Sequence, residues 1–123
     1  RLTRNAIIRG DKMKIQRAVS NLLDNALKYT PQGGRVIALV QGNDDQVVFS
    51  VKDTGPGISD HDLPHIFDRF FRGDRSRSLP GMGLGLNLTL AIARAHGGDV
   101  RVTSVPGQGS TFTMNLPRSP QPR

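Results

Sequence analysis

Two pairs of β-forming runs, each closed by a short turn sequence, set the tightest limit on how this chain folds. RVIALVQ (Arg35 to Gln41) and QVVFSVKD (Gln46 to Asp53) flank GNDD, while DVRVTS (Asp99 to Ser104) and STFTMNL (Ser110 to Leu116) flank PGQG. Runs rich in valine, phenylalanine and threonine around such turns predict antiparallel hairpins. A hairpin has an apolar face that another layer must cover, and the segments around these two supply it. From Asp11 to Tyr29, apolar residues fall at Ile15, Ala18, Val19, Leu22, Leu23, Ala26 and Leu27, the three-and-four spacing of an amphipathic helix. Asp11 is its expected N-cap, and Pro31 disfavours helical geometry beyond Thr30. Leu84 to His96 predicts a second helix, stopped by Gly97 and Gly98.

Between them, a short helix is expected over Leu63 to Phe70, capped by Ser59 or Asp60, and the aperiodic stretch from Arg72 to Gly83 reads as a loop. A strand fragment precedes the first helix near Ala6 to Ile8. Strands gathered into one sheet with helices on one face make a two-layer α/β sandwich. At 123 residues there is room for one domain and one core. The domain is placed at residues 1–117, with residues 118–123 as a proline-rich tail that cannot build a core. No run of residues is long and apolar enough for a membrane span, and no signal-peptide pattern opens the chain. The absence of an initial Met suggests a piece of a longer protein. With no cysteine, disulfides and thiolate metal sites are excluded.

The net charge of +7 invites a nucleic-acid reading, since basic domains attract phosphate backbones. The basic residues are nevertheless scattered, apart from one cluster of Arg69, Arg72, Arg75 and Arg77. That cluster needs its own explanation.

Three segments offer chemistry. Asn21, Asn25 and Lys28 share one helix face beside the apolar stripe; taken alone, they fit either a solvated edge or a polar site. In DTGPGI, Asp53 ends a strand next to Gly55 and Gly57. An acceptor-only carboxylate there suits the amino group of a planar ring, although an ordinary strand-to-loop turn has the same sequence. GMGLGLN, Gly81 to Asn87, places glycines ahead of a helix, where N–H groups and the positive dipole end favour anions. It lacks the Gly-Lys-Ser/Thr of the P-loop and the register of the dinucleotide fingerprint. His61, His65 and His96 form no metal-spaced set, and no nucleophile has an evident base.

Read in order, NLLDNALKYT, DTGPGI, FDRFFR, GMGLGL and GQGSTF resemble the successive boxes of the catalytic, ATP-binding domain of sensor histidine kinases, in the ATPase superfamily of gyrase, Hsp90 and MutL. The resemblance runs from about Asp11 to Pro117. It implies a Bergerat-type sandwich: a mixed, mostly antiparallel sheet of about five strands with about three helices on one face. It implies ATP and Mg²⁺ as ligands, with Asn25 on the metal, Asn21 supporting the metal and phosphates, Lys28 on phosphate and Tyr29 beside the nucleotide. Asp53 would accept the adenine amino group in a pocket shaped by Gly55, Gly57, Ile58, Leu84, Leu86 and Ile92. Phe67 and Phe70 match the aromatic box, and Arg69 and Arg72 are phosphate candidates. Gly81, Gly83 and Gly85 match the lid glycines, and Gly107, Gly109 and Thr111 the last glycine box.

A lid bearing Arg72, Arg75 and Arg77 over a triphosphate explains the basic cluster without nucleic acid. In the hydrolysing relatives a glutamate stands four residues before the metal-binding asparagine. Here Asn21 holds that place, and an amide cannot act as a general base. The resemblance therefore implies phosphoryl transfer to a histidine on a separate dimerisation and phosphoacceptor domain, with a response regulator downstream. A slow ATPase and a degenerate nucleotide- or partner-binding module are the alternatives. The implied setting is the cytoplasmic side of an inner-membrane sensor, with the fragment monomeric and the whole protein a homodimer.

Overall fold

The computed structural model describes residues 10–68 and 85–118. The first helix, α1, spans Lys12–Tyr29. Asp11 caps it through a 3.1 Å hydrogen bond from the Lys14 N–H. At the other end the Thr30 N–H and hydroxyl both donate to the Ala26 carbonyl, at 3.1 and 2.7 Å. The turn thus closes just before Pro31 forces the chain outward. The buried stripe is Ala18, Leu22 and Ala26, with Ile15, Val19 and Leu23 packed beside it.

The strands are β1 (Val36–Gly42), β2 (Gln46–Asp53), β3 (Asp99–Val105) and β4 (Gly109–Pro117). They form one sheet in the order β1-β2-β4-β3, with every neighbouring pair antiparallel. The second helix, α2, spans Gly85–Ala95. It ends in a Schellman motif, in which the Gly98 N–H bonds Ala93 O at 2.8 Å and the Gly97 N–H bonds Arg94 O at 3.0 Å.

Both helices pack on the same face of the sheet, α1 over β2 and α2 over β3. Period-two alternation then sorts the side chains. Val51, Phe112, Met114, Leu116 and Val100 point into the core, while Lys52, Thr111 and Arg101 lie on the other face. The two-layer α/β sandwich is thus as expected, with four strands among the described residues.

The strand near Ala6 to Ile8 lies outside the described residues, and the described strands pair only antiparallel. Two expectations of detail change. The short helix shrinks to one 3₁₀ turn, Leu63–His65. Pro64 stands in its first turn, where a missing N–H costs no hydrogen bond, so it marks where the turn starts. The cap is Asp62, without a side-chain cap bond, and neither Ser59 nor Asp60; the Ser59 hydroxyl and carbonyl both receive the Asp62 N–H at 3.1 Å in the turn before it. Arg118, assigned to the tail, is tied to the first hairpin, donating from N–H to Asp45 O at 2.9 Å and from Nη1 to Asn43 O at 2.7 Å. No helix among the described residues is long and apolar enough to cross a membrane.

Candidate functional site

One row across the inner face of the sheet is polar where its neighbours are apolar. The register aligns Ser104 of β3 with Ser110 of β4, and Ser110 with Asp53 of β2. The next row is Val102, Phe112 and Val51. A core builds such a row only where each group finds a partner or serves a ligand. The two serines satisfy each other, their hydroxyls lying 3.0 Å apart. Ser104 also receives the Ile58 N–H at 2.7 Å.

Asp53 is different. It is 2% exposed, and its Oδ1 accepts the Gly55 N–H at 2.9 Å. Its Oδ2 is also buried and has no hydrogen-bond partner among the described residues. A buried carboxylate oxygen left unsatisfied costs about 1–3 kcal/mol or more. The fold retains it at the rim of the core, beside the C-terminal end of α1.

The loop after Asp53 is drawn tightly over this end of the sheet. A Cβ on Gly55 would stand 2.8 Å from the Tyr29 carbonyl oxygen and 3.0 Å from Asp53 Oδ1, so only glycine lets the backbone pass. Gly57 adopts φ +75°, and a Cβ there would meet the Val105 carbonyl at 2.5 Å. The Gly107 N–H reaches Pro56 O at 2.7 Å, tying the loop to the β3–β4 turn. Ile58 is buried, and Phe67 and Leu86 pack against the core nearby.

The polar edge of α1 meets the first residue of α2. Asn21 Nδ2 donates to Gly85 O at 3.4 Å, and Thr89 Oγ1 donates to the same oxygen at 2.8 Å. Asn25 lies one turn further along, half-buried, with Lys28 exposed and Tyr29 half-buried beyond it. The Lys28 ammonium sits 5.8 Å from the centroid of the Tyr29 ring. Asparagine carbonyl oxygens suit a hard cation such as Mg²⁺, which takes only one or two protein ligands and completes its shell with phosphate and water.

Asp53, Gly55 and Tyr29 thus meet at one end of the sheet, and Asn21 meets Gly85, with Asn25 and Lys28 further along α1; Gly57 lies against Val105, and Ile58, Phe67 and Leu86 belong to the core or pack on it. Ile92, also expected as a pocket wall, is a buried core residue of α2. Thr111 does not join them. Its register partner is Lys52, and both lie on the face away from the helices. The buried neighbour of Asp53 is Ser110, one residue earlier. Counting alternation back from Phe112, a core residue, would have found it. Asn87 was also missed as a site residue: its Nδ2 donates to Phe67 O at 3.0 Å and ties α2 to the aromatic box. Arg69, Phe70, Arg72, Arg75, Arg77, Gly81, Gly83 and Leu84 lie outside the described residues.

None of the histidines is placed as a nucleophile. His96 donates from Nδ1 to Ile92 O at 2.8 Å and accepts the Asp11 N–H on Nε2 at 3.0 Å, so both ring nitrogens serve the fold. His61 and His65 contact neighbouring carboxylates on the surface. No group of three or more His, Cys, Asp or Glu side chains among the described residues could hold a metal.

Comparison with known proteins agrees with this fold. Residues 10–120 match the family described as histidine kinase-, DNA gyrase B-, and HSP90-like ATPase. The chain is 42% identical over 118 residues to the sensor histidine kinase WalK of Bacillus subtilis, covering 93% of this chain and 19% of that protein. It is also 42% identical over 115 residues to the sensor-like histidine kinase SenX3 of Mycobacterium tuberculosis, covering 92% of this chain and 28% of that protein. The chain therefore spans less than a third of these curated relatives. Among solved structures, the mycobacterial sensor histidine kinase MprB superposes with a TM-score of 0.82 at 37% identity, covering 93% of this chain and 78% of that one. Full-length ShkA in complex with AMPPNP gives 0.81 at 32% identity, covering 97% and 24% respectively. The chain belongs to the family of histidine kinase-, DNA gyrase B- and HSP90-like ATPases, as a catalytic, ATP-binding domain of the sensor histidine kinase kind.

Proposed function

We propose that this domain binds Mg·ATP and delivers its γ-phosphoryl group to a histidine on a separate phosphoacceptor domain. The observation that carries the reading is the buried Oδ2 of Asp53, which has no partner among the described residues. An adenine ring entering at this end of the sheet brings an exocyclic amino group, a donor that satisfies that oxygen. Gly55 keeps the approach open because no side chain stands between Asp53 and the end of α1. Ile58 and Leu86 supply apolar surface for the ring, and Tyr29 lies beside it.

The triphosphate then extends along the polar edge of α1 towards the start of α2. Asn25 is the residue to hold Mg²⁺, with Asn21 and Lys28 on the phosphate side. Bound there, Mg²⁺ supplies neutralisation of charge on the β- and γ-phosphates. Gly85 brings the N-terminal dipole end of α2 to the same place. Arg69 and Arg72 are further phosphate contacts, with Gly81, Gly83 and Leu84 closing over the nucleotide.

In the transfer step, a lone pair on the acceptor imidazole attacks the γ-phosphorus. A P–N bond forms as the bond to the β,γ-bridging oxygen breaks, and ADP leaves with that electron pair. The acceptor's remaining ring proton passes to solvent or a base on its own domain. The domain's contribution is positioning and charge stabilisation, which dominate phosphoryl transfer. Rapid hydrolysis is disfavoured because Asn21 offers an amide that already donates to Gly85 O. A response regulator receives the phosphoryl group in turn, and the domain works on the cytoplasmic side of a sensor protein. The experiment is incubation of the chain with γ-labelled ATP, Mg²⁺ and the matching acceptor domain. Acid-labile, base-stable label on the acceptor is expected. ATP binding without transfer would favour a non-catalytic module, and steady release of inorganic phosphate a slow ATPase.

A further inference from the structure

Among the described residues β1 is an outer strand of the sheet, and its edge lacks the usual protection. The Thr54 N–H bonds Arg35 O and the Asn43 N–H bonds Gln46 O, each at 3.0 Å. With the register from Val36↔Asp53 to Gly42↔Val47, the odd-numbered residues therefore exchange hydrogen bonds with β2. The N–H and C=O groups of Val36, Ala38, Val40 and Gly42 point the other way, and among the described residues no strand pairs with them. Proteins blunt such edges with lysine, proline, a bulge or an inward charge. VIALVQG has none of these, and its register with β2 is unbroken. Ile37 is 54% exposed, Val40 40% and Leu39 38%. The strand at the other side of the described sheet, β3, carries Asp99 and Arg101, so the contrast lies within one sheet.

The ends of β1 indicate what pairs there. Arg35 precedes the strand, and Asp44 and Asp45 follow it in the turn, all exposed. We propose that β1 is a self-association edge, taking a second copy of the chain antiparallel across a two-fold axis near Leu39. That operation sets Val36 opposite Gly42 and Ala38 opposite Val40, so the free backbone groups of each copy meet their complements. It brings each Arg35 to the Asp44–Asp45 turn of the other copy. A strand with an apolar centre and opposite charges at its ends is complementary to itself under a two-fold axis. The two Leu39 side chains meet at a non-hydrogen-bonded pair, where strands approach most closely. This departs from the monomer that the family resemblance implied, and it does not depend on the nucleotide site. One strand edge is a narrow contact, so the dimer is weak and depends on concentration.

Sedimentation equilibrium of the chain from ~10 μM to ~1 mM tests the association, with amide hydrogen exchange at both ends of the range. Growth of a dimer is expected, with Val36, Ala38 and Val40 amides gaining protection while Ile37 and Leu39 stay protected throughout. Arg35→Asp is expected to weaken the dimer roughly tenfold by making two attractive pairs repulsive. Adding Asp44→Arg and Asp45→Arg to that variant restores it, and Ile37→Lys abolishes it without disturbing the core. A monomer across the whole range overturns the proposal. So does a dimer that leaves the edge amides unprotected or ignores Ile37→Lys, and so do assemblies that grow beyond two copies.

Discussion

The Gly55 N–H donates to Oδ1 of Asp53 at 2.9 Å, and this bond holds the carboxylate with its second oxygen buried and without a partner among the described residues. The same glycine passes under the end of α1, too close for any side chain. One local turn thus orients the acceptor and clears the space in front of it.

Asp53→Asn should separate binding from stability. The amide can still accept the Gly55 N–H, and it removes a buried charge, so thermal stability is expected to hold or rise. A donor then replaces Oδ2, and ATP affinity is expected to fall by about 1–3 kcal/mol, roughly fivefold to 150-fold. Calorimetric titration beside a thermal melt checks both; unchanged affinity removes Asp53 from its role.

Gly55→Ala should cost about 1–3 kcal/mol of stability, because the new methyl must displace the Tyr29 carbonyl or the Asp53 carboxylate. Denaturant unfolding reads the loss. A variant as stable as the parent would mean that this approach is looser than the distances imply.

Asn25→Ala is expected to leave folding within about 0.5 kcal/mol, as for other substitutions outside the core. Its effect belongs to the metal: ATP affinity should lose its dependence on Mg²⁺. Titrations with and without a chelator decide it, and retained dependence would move the cation elsewhere.

Ser110 and Thr111 offer an internal control. Ser110→Ala removes a buried hydroxyl bonded to Ser104 and should cost about 1 kcal/mol of stability. Thr111→Ala, on the far face of the sheet, should leave ATP affinity unchanged. Nucleotide binding weakened by the Thr111 variant alone would contradict the register-based assignment.

Much of this was legible in the residues. Periodicity gave both helices and all four described strands nearly to the residue, because each boundary carries its own chemistry: Asp11, Pro31, GNDD, Gly97. The 3₁₀ turn was over-read because Leu63, Ile66 and Phe67 have helical spacing, although only Leu63–His65 take up helical bonding. Asp53 was visible from its place at a strand end beside glycines. Its unsatisfied oxygen was not, since that depends on what α1 and β4 bring to it. Thr111 was chosen by position in a glycine box, whereas strand alternation, a property of the sheet, selects Ser110. The exposed β1 edge was likewise invisible until the strand order put β1 outermost.

The most direct test of the central claim compares ATP with inosine triphosphate, which carries an oxo group in place of the adenine amino group. Calorimetric titration in Mg²⁺ should show one-to-one binding of ATP and inosine triphosphate weaker by about tenfold or more, because an acceptor would then face Asp53 Oδ2. In Asp53→Asn that preference should shrink or reverse. Equal affinity of the parent chain for the two nucleotides, or no binding of ATP to the folded protein, would contradict the account.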